Sequence, residues 1–456
     1  MIVPRFRLLF WVGIIFLPAA IMARLSPQSA MLLGGLVAAF SISALIDGFL
    51  AFGRMEGISV QLPDVLRLSR DRDGEIEIRI KNDRMKIRRL RIGLAFPRGI
   101  YTANQDILAE LQGDSTVSSI LWPLRALKRG QYIIEKCYME VSSPLGFWAM
   151  QRAAPVHAEI RVYPNLYNER KHMAAFFLNR GHGGIHTQRQ VGKGRDFEQL
   201  REYMPSDNFD DIHWKATAKR GHPITKVYQI ERTQEVYIII DTSRLSGRNV
   251  DSFHHHTRQE GNEDGDFSTT ILERFFTSAL IMGLVAEQQG DMFGVLTFND
   301  SVRVFVRAKT GKAHYNACRE ALYTLHTKET SPDFTELFTF IGTHIRRRAL
   351  LVFLTNLDDP ALAESFLQSI DLVSRRHLVL VNMLQPEGAM QLFQTSSVES
   401  VEDIYRALGG HFLWTSLRET EKTLGRRGVG FSLLENEKLC AQLVSQYLSV
   451  KQRQIL

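Results

Sequence analysis

The chain has 456 residues, of which 45% are hydrophobic and 23% are charged. These fractions are typical of folded proteins and exclude wholesale disorder, and the length is sufficient for two or three domains. A formal net charge of +7 favours contact with nucleic acid or with an anionic membrane surface. The three cysteines lie far apart, which excludes a disulfide framework or a cysteine-based metal cluster and favours a reduced compartment.

Two apolar runs lie close to the N-terminus, at residues 8–23 and 31–52. As a helix, the first run would be roughly 24 Å long, slightly short of a bilayer core of about 30 Å, and flanking arginines can make up the difference. We therefore expect residues 1–54 to form two transmembrane helices. A cleaved signal peptide and a buried hairpin of a soluble protein are the alternatives.

Basic residues near these runs predict the orientation of the chain. Arg5 and Arg7 precede the first run and Arg54 follows the second, whereas the connection between them carries Arg24 alone. The positive-inside rule then places both termini and the soluble part in the cytoplasm, as in a multi-pass protein of the inner (plasma) membrane. Asp47 lies inside the second run, and we expect it at the inner interface or against a partner, because a carboxylate is costly in the bilayer.

Residues 55–165 are predicted to form a β-sandwich. Ile76, Ile78 and Ile80 alternate with charged residues, and this period of two indicates a half-buried strand. Further short segments separated by polar turns favour a sandwich over a barrel. The region is rich in arginine, including Arg88, Arg89 and Arg91. Three interpretations of these arginines remain open, namely a solvated face, a contact with the inner leaflet and a nucleic-acid surface.

Residues 166–230 are predicted to be a connector rich in glycine, histidine and charge. His182 and His186 have the spacing of a helical zinc pair, but the glycines between them argue against a helix and hence against a metal site. The connector shows no nucleophile paired with a base, so we expect it to have a structural rather than a catalytic role. Phe197 and Trp214 are expected to anchor it as an extended clamp on the domain that follows.

Apolar strands alternate with amphipathic helices from residue 231 to residue 456. Such alternation predicts a mostly parallel sheet with helices on both faces. The run 236–241 is almost entirely apolar until it ends in Asp241, and Ser243 follows. This pattern is typical of a buried strand that delivers polar groups to the crevice at the carboxyl end of a sheet.

A pattern of glycine, aromatic and charged residues runs through the connector, formed by Gly194, Phe197, Leu200, Arg201, Glu202, Tyr203, Asp207, Ile212, Trp214, Lys215 and Ala218. It resembles the signature of a bacterial membrane-protein family, the domain-of-unknown-function 58 family. In that family, membrane helices and a β-rich domain precede a von Willebrand A-like α/β domain. Two residues depart from the family pattern, since His213 stands where an aspartate is usual and Asp211 where a basic residue is usual.

The resemblance implies a magnesium site at the end of the apolar run. A von Willebrand A-like domain usually binds Mg²⁺ through Asp-x-Ser-x-Ser, a loop threonine and a further aspartate. Asp241 and Ser243 match the first two positions, and Thr335 matches the loop threonine. Leu245 replaces the second serine and Asn356 replaces the further aspartate. Because each replacement removes an oxygen ligand or a charge, the resemblance implies a degenerate site that binds Mg²⁺ weakly.

Residues 246–267 are interpreted as a polar insertion before the next helix. They include His254, His255 and His256, which could capture Zn²⁺ or Ni²⁺ adventitiously. We expect no physiological metal site there, because a loop of this composition does not preorganise ligands.

The resemblance also implies a partner, since members of the family commonly accompany MoxR-type AAA+ ATPases. We therefore expect a non-enzymatic, membrane-anchored scaffold or adaptor that docks such an ATPase through the crevice, in the assembly or maturation of client proteins of the envelope. The residues expected to dock the partner or to form the signature are Arg201, Glu202, Tyr203, His213, Trp214, Lys215, Asn356 and Asp358. The alternatives are a membrane-linked, metal-dependent hydrolase and a nucleic-acid-binding membrane protein.

Overall fold

A computed structural model describes residues 1–25, 27–83, 87–111, 115–167, 169, 171, 191–204, 209–229, 234–250, 269–386, 388–391 and 401–453. His182, His186, Asp207, the side chain of Phe197 and the histidine triplet 254–256 lie outside the described part of the chain. The chain divides into two compact units, Met1–Asn165 and Leu166–Leu456.

Two helices begin the N-terminal unit, α1 (Phe6–Leu25) and α2 (Pro27–Ala51). Within the described residues, one helical stretch, Met31–Ala51, is long and apolar enough to cross a membrane, and the shorter apolar stretch Phe6–Ile21 precedes it. Many large apolar side chains of both helices are exposed, as on a surface that faces lipid. One candidate membrane helix is therefore present near the N-terminus.

Two sheets of the N-terminal unit share one hydrophobic core. Its described strands are β1 Ile2–Pro4, β2 Ile58–Gln61, β3 Val65–Ser69, β4 Asp73–Asn82, β5 Arg89–Leu94, β6 Ile100–Tyr101, β7 Asp106–Glu110, β8 Val117–Ala126, β9 Gly130–Ser142 and β10 Trp148–Tyr163. One sheet has the order β1-β10-β9-β5-β7 with β3 also on β10, and the other has the order β2-β4-β8-β6. All described pairings in these sheets are antiparallel except that of β3 with β10. Alternate residues such as Ile76, Ile78 and Ile80 are buried in the shared core, as the period of two predicts.

The carboxylate of Asp47 connects α2 to the turn between β9 and β10. Asp47 is fully buried, and its two oxygens accept hydrogen bonds from the Ser143 hydroxyl at 2.6 Å and from the backbone N–H groups of Leu145 at 2.9 Å and Phe147 at 3.2 Å. The indole N–H of Trp148 donates to the Ala44 carbonyl at 2.8 Å. The partner of this acid of the second apolar run is therefore a turn of its own chain.

The C-terminal unit is built on a six-stranded sheet of order β17-β16-β13-β18-β19-β20. Its strands and the smaller ones of the unit are β11 Val191–Glu202, β12 Ile224–Gln229, β13 Glu235–Asp241, β14 Asn249–Val250, β15 Thr269–Thr270, β16 Met292–Phe298, β17 Val302–Lys309, β18 Leu350–Leu354, β19 Leu378–Leu384 and β20 Gly430–Leu434. The large sheet is parallel except for the edge strand β17. The predicted mixed α/β architecture is confirmed at this level.

Helices cover both faces of the large sheet. The helices of the unit are α3 Trp214–Arg220, α4 Ile271–Gln288, α5 Lys312–Leu322, α6 Phe334–His344, α7 Pro360–Ser369, α8 Asp371–Ser374, α9 Val401–Arg426 and α10 Leu439–Gln452. Residues of α4, α5 and α10 share a core with one face of β13, and residues of α6, α7, α8 and α9 share a core with the other face. Because both faces are buried, the central strands are apolar at every position, as the run 236–240 shows.

Helix α9 was not among the sequence predictions. It packs closely on the turn that follows β19, where a Cβ atom on Gly410 would lie 1.9 Å from the Gly388 carbonyl oxygen. Only glycine allows this approach. The first half of α9 leaves large apolar side chains exposed, among them Ile404, Tyr405 and Phe412. Helix α9 therefore does not bury its apolar residues along one stripe, as a core helix does.

Candidate functional site

The carboxyl end of β13 is organised by Asp241. The side chain of Asp241 is 0% exposed. One carboxylate oxygen accepts the backbone N–H of Ser243 at 2.8 Å, and the other accepts the Thr355 hydroxyl at 2.8 Å. Thr355 follows β18, whose neighbour in the sheet is β13. Asp241 therefore holds together the loops that follow two adjacent strands, and it does not face solvent as a docking residue would.

Burial raises the pKa of Asp241, while the hydrogen bonds from Ser243 and Thr355 oppose the shift. The raised pKa means that the buried charge is destabilising at neutral pH relative to an unfolded chain. This penalty for Asp241 is present above the folded-state pKa, and it disappears as the pH falls toward the ordinary value for a carboxyl group.

The loop before α6 contacts the segment after β13 at Thr330. The backbone N–H of Arg244 donates to the Thr330 carbonyl at 3.1 Å, and the Thr330 hydroxyl is buried without a partner. Thr335 is exposed in the first turn of α6, where its hydroxyl lies 3.4 Å from that of Ser369. Helix α6 begins at the Asp333 cap, which accepts the N–H of Thr335 at 2.9 Å. Thr335 therefore lies in the first turn of α6, and Thr330 is the threonine whose backbone contacts the segment after β13.

Several polar atoms near this edge are buried without a hydrogen-bond partner in the described part of the chain. They are Ser243 Oγ, Ser246 Oγ, Thr330 Oγ1, Asn356 Nδ2 and Asp358 Oδ1. Buried polar atoms are nearly always paired, so a concentration of unpaired ones marks a polar site that takes water or a ligand group. This concentration has no counterpart in the sequence pattern, since serine, threonine and asparagine are equally common in ordinary loops.

The residues at this edge do not form an adequate set of magnesium ligands. Leu245 is buried where the second serine of the motif would stand, and Asn356 supplies no charge. The second acid, Asp358, forms an ion pair with Arg248. No group of three or more His, Cys, Asp or Glu residues in the described ranges is placed to hold a metal. Asp241 and these hydroxyls thus supply fewer oxygen ligands and less negative charge than the complete motif would.

Substitution of Asp241 distinguishes a structural carboxylate from a metal ligand. Asp241→Asn keeps an oxygen that accepts the Ser243 N–H, and the Thr355 hydroxyl can rotate to accept from the new amide. We expect the free energy of unfolding of Asp241→Asn to lie within about 1 kcal/mol of that of the natural protein. The free energy of unfolding of Asp241→Ala should be lower by about 2 to 4 kcal/mol, because two buried donors lose their acceptor. Urea unfolding with and without Mg²⁺ measures both. Stabilisation by Mg²⁺ that Asp241→Asn abolishes would contradict the structural role.

The signature residues lie on a hairpin and a short helix. Strands β11 and β12 pair antiparallel, and the backbone N–H of Tyr203 donates to the Pro223 carbonyl at 3.0 Å. Trp214 begins α3 and is 69% exposed, and Phe209 is also exposed with its ring 5.7 Å from that of Tyr203. The prediction that Trp214 anchors a clamp is therefore wrong, because the indole faces solvent.

His213 caps the N-terminus of α3. This role explains how a histidine can stand where the family pattern has an aspartate. Its Nδ1 accepts the backbone N–H of Ala216 at 3.0 Å, the bond that an aspartate at an N-cap would accept. His213 is therefore a hydrogen-bond acceptor that caps a helix.

The charges of the signature do not converge on a reaction centre. His222 lies 3.4 Å from Glu202, and both side chains are exposed. Arg201 donates to the Glu202 carbonyl at 3.2 Å, and Lys215 is exposed on α3. The signature therefore exposes aromatic and basic side chains to solvent.

The arginines of the N-terminal unit alternate with acids on its exposed sheet face. Arg89 pairs with Glu110 at 3.3 Å, and Arg91 pairs with Asp106 at 2.9 Å. Because these acids offset the arginines, the face is less suited to a phosphate backbone than the sequence alone suggests.

The comparisons with known proteins each cover less than half of this chain. Curated relatives from Mycobacterium tuberculosis and Mycobacterium bovis, both uncharacterized proteins, are 22% identical over 212 residues, which is 44% of this chain and 59% of theirs. The match thus spans less than two thirds of their length. Among solved structures, the conserved hypothetical protein BatB from Bacteroides thetaiotaomicron is similar at 13% identity over 48% of this chain and 99% of its own, with a TM-score of 0.29.

A second solved structure is described as an uncharacterized membrane spanning protein from Vibrio fischeri. It is 13% identical over 48% of this chain and 98% of its own, with a TM-score of 0.17. The family whose model matches is described as "Protein of unknown function DUF58", and the match covers residues 199–392, from the end of β11 to the loop after β19.

Proposed function

We propose that the protein is a non-enzymatic, membrane-anchored scaffold whose C-terminal unit is von Willebrand A-like and docks a MoxR-type AAA+ ATPase. The observation that carries the proposal is a rim of basic side chains around the buried polar edge of the sheet. We call this rim the lip and define it as Arg244, Arg248 and Lys328. All three side chains are exposed.

The backbone of the lip is held firmly at each position. Arg248 donates its N–H to the Leu245 carbonyl and accepts at its own carbonyl from the Ile271 N–H at 2.9 Å. The N–H of Lys328 donates to the Thr242 carbonyl at 3.0 Å. A preorganised backbone lowers the entropy that a partner must overcome on binding. The lip is therefore a plausible rigid half of an interface.

The charge of the lip selects an acidic partner surface. The guanidinium of Arg248 is oriented by Asp358, whereas the side chains of Arg244 and Lys328 form no hydrogen bond or ion pair among the described residues. Guanidinium and ammonium groups in this arrangement complement carboxylates, and such complementarity mainly sets association rate and specificity. Docking at the lip is proposed to need no bridging cation, because the arginines supply the positive charge that Mg²⁺ would bring.

The topology of the sheet supports the von Willebrand A-like assignment. An Asp-x-Ser sequence at the carboxyl end of the central strand β13 lies in a parallel sheet with helices on both faces, where open α/β sheets bind ligands. The family match spans this strand end, and the proposed partner is one that accompanies the family.

The N-terminal unit supports a two-helix membrane hairpin. Strand β1 precedes α1 and pairs with β10, and Met55 and Ile58 follow α2 and lie in the same core. The chain thus leaves the sheets before α1 and returns to them after α2. We propose that α1 and α2 both cross the inner membrane, and that the sheets and the C-terminal unit lie in the cytoplasm.

Charge reversal at the lip tests the docking proposal. Full-length protein carrying Arg244→Glu, Arg248→Glu and Lys328→Glu should lose at least tenfold in affinity for the ATPase encoded with it, measured by biolayer interferometry in detergent, because opposite charges become like charges. The matched control reverses three exposed basic residues at the β17 edge, Arg307, Lys309 and Lys312.

The outcomes separate the two parts of the proposal. Equal loss in the lip and control variants would show that net charge, and not the lip, governs binding. Absence of any interaction between the ATPase and the natural protein would remove the adaptor function itself. Stoichiometric, tightly bound metal in the purified protein, together with hydrolytic activity, would favour the hydrolase alternative.

A further inference from the structure

A second basic surface lies at the opposite end of the large sheet. Exposed arginines precede three strands: Arg346, Arg347 and Arg348 before β18, Arg375 and Arg376 before β19, and Arg426 and Arg427 before β20. Arg348 has an interaction of its own, and the other six residues, two before each strand, are called the arginine belt. The pairs are up to 81 residues apart in sequence, as the interval from Arg346 to Arg427 shows (427 − 346).

The register of the sheet brings the three pairs together. Leu350 of β18 is opposite Leu378 of β19, and Leu380 of β19 is opposite Gly430 of β20. Neighbouring strands lie about 4.8 Å apart, so parallel strands in this register begin side by side. The belt therefore forms one row along the amino edge of the sheet, whereas the lip lies at the carboxyl edge.

Few acids balance the belt. Arg427 pairs with Asp371 at 3.2 Å and also donates to the Leu367 carbonyl. The side chains of the other five arginines form no hydrogen bond or ion pair among the described residues. Like charges gathered this closely repel one another, and the repulsion is relieved when a polyanion binds. A large apolar side chain, Leu372, is 63% exposed beside the pair at 375 and 376.

We infer that the arginine belt binds the anionic headgroups of the membrane in which the chain is anchored. Guanidinium groups pair with phosphate oxygens in a fork geometry and keep their charge at every physiological pH. Leu372 supplies an apolar group that can enter the headgroup region and be stabilised there. A nucleic-acid backbone offers no apolar region for this side chain.

The anchor favours lipid over nucleic acid as the polyanion. The candidate membrane helix Met31–Ala51 keeps the chain at a bilayer, so a weak lipid contact becomes an intramolecular event at high effective concentration. Cytoplasmic leaflets carry anionic lipids, which attract clusters of basic residues near the surface. A second membrane contact would hold the C-terminal unit in one orientation and so set the direction in which the lip faces.

The test places an environment-sensitive dye at Leu372 in the full-length protein. The three native cysteines are free and buried, so Leu372→Cys provides a selective site for the fluorophore NBD. The labelled protein is reconstituted in nanodiscs of phosphatidylcholine alone or of phosphatidylcholine with phosphatidylglycerol. We expect a blue shift of NBD emission in the anionic discs only, and we expect high salt to reverse it.

Two variants control the measurement. Changing the pairs at 346–347 and 375–376 to glutamine should abolish the shift without introducing repulsive acids, whereas Arg307→Gln, Lys309→Gln and Lys312→Gln should leave it unchanged. The thermal midpoint of each variant reports whether it has folded. A shift of equal size in neutral discs, or one that survives removal of the belt charges, would overturn the inference. So would belt-dependent binding of a single-stranded RNA oligonucleotide without any shift in anionic discs.

Discussion

Replacing Asp47 with alanine is expected to destabilise the N-terminal unit by about 3 kcal/mol. The carboxylate accepts three hydrogen bonds from the turn between β9 and β10. Its removal leaves the backbone N–H groups of Leu145 and Phe147 without an acceptor, at a cost of about 1 to 3 kcal/mol for each buried donor. The Ser143 hydroxyl loses its acceptor but still accepts the N–H of Trp148 at 3.0 Å.

The measurement that checks this expectation is hydrogen exchange of the protein in detergent micelles. The amides of Leu145 and Phe147 should exchange faster in Asp47→Ala, and the thermal midpoint of the N-terminal unit should fall. Asp73→Ala removes an exposed acid of the same unit and serves as the control. If Asp47→Ala and Asp73→Ala have equal stability, then the buried carboxylate does not hold the turn.

The consequence of this bond network goes beyond stability. Trp148 also donates to the Ala44 carbonyl of α2, and a Cβ atom on Gly48 would lie 3.3 Å from its indole nitrogen. Helix α2 is thus fixed to the sheets by a buried acid, an indole and a close helix-to-ring contact. A force on the sheets would be transmitted to α2, because no flexible linker separates them. Such a rigid connection suits an anchored scaffold.

Acidification is expected to destabilise the C-terminal unit through His377. The imidazole is almost fully buried, and neither ring nitrogen has a partner among the described residues. Burial, together with the neighbouring charge of Arg376, lowers the pKa of His377 to about 4 from an ordinary 6.5. Above pH 6.5 the ring is neutral in both the folded and unfolded chains. Below that pH the unfolded chain takes up the proton first, so stability falls until the pH reaches about 4.

The expected loss from His377 is about 2 kcal/mol at pH 5 relative to pH 8. His377→Leu should remove this part of the pH dependence, and His222→Leu, at an exposed histidine of the same unit, should not. Urea unfolding followed by tryptophan fluorescence at several pH values measures the difference. Parallel pH profiles for the natural protein and His377→Leu would mean that the imidazole is charged, or absent from the core, in the folded state.

Some elements were predictable because their sequence pattern has one physical explanation. Strands β13, β16, β18 and β19 are predominantly apolar, since helices cover both faces of a parallel sheet, and a short run of this kind is distinct from an amphipathic helix. Strand β4 was equally clear because its isoleucines alternate with charges. Helix α9 was not predictable from the sequence, because its exposed apolar residues and the Gly409–Gly410 pair contradict the pattern of a core helix.

The polar site was predicted only in part. Asp241 and Ser243 follow an unmistakable strand, but their burial and their hydrogen bonds depend on Thr355, which is 114 residues away. The loop threonine was placed at 335, and sequence order could not show that Asp333 caps α6 and that Thr335 lies in its first turn. Local patterns report which residues lie near a strand end, and only the folded loops decide which side chains meet there.

By itself, the sequence determined the order of apolar, alternating and amphipathic segments, and hence a membrane-proximal helix, a β-rich region and an α/β region. These follow from the periodicity of hydrophobic residues, which is a local property of the chain. The tertiary structure decided that Asp47 is paired with its own chain, that the lip is basic, and that six distant arginines form one row. Each of these depends on contacts between residues far apart in sequence, which strand register and loop packing create and which no local pattern encodes.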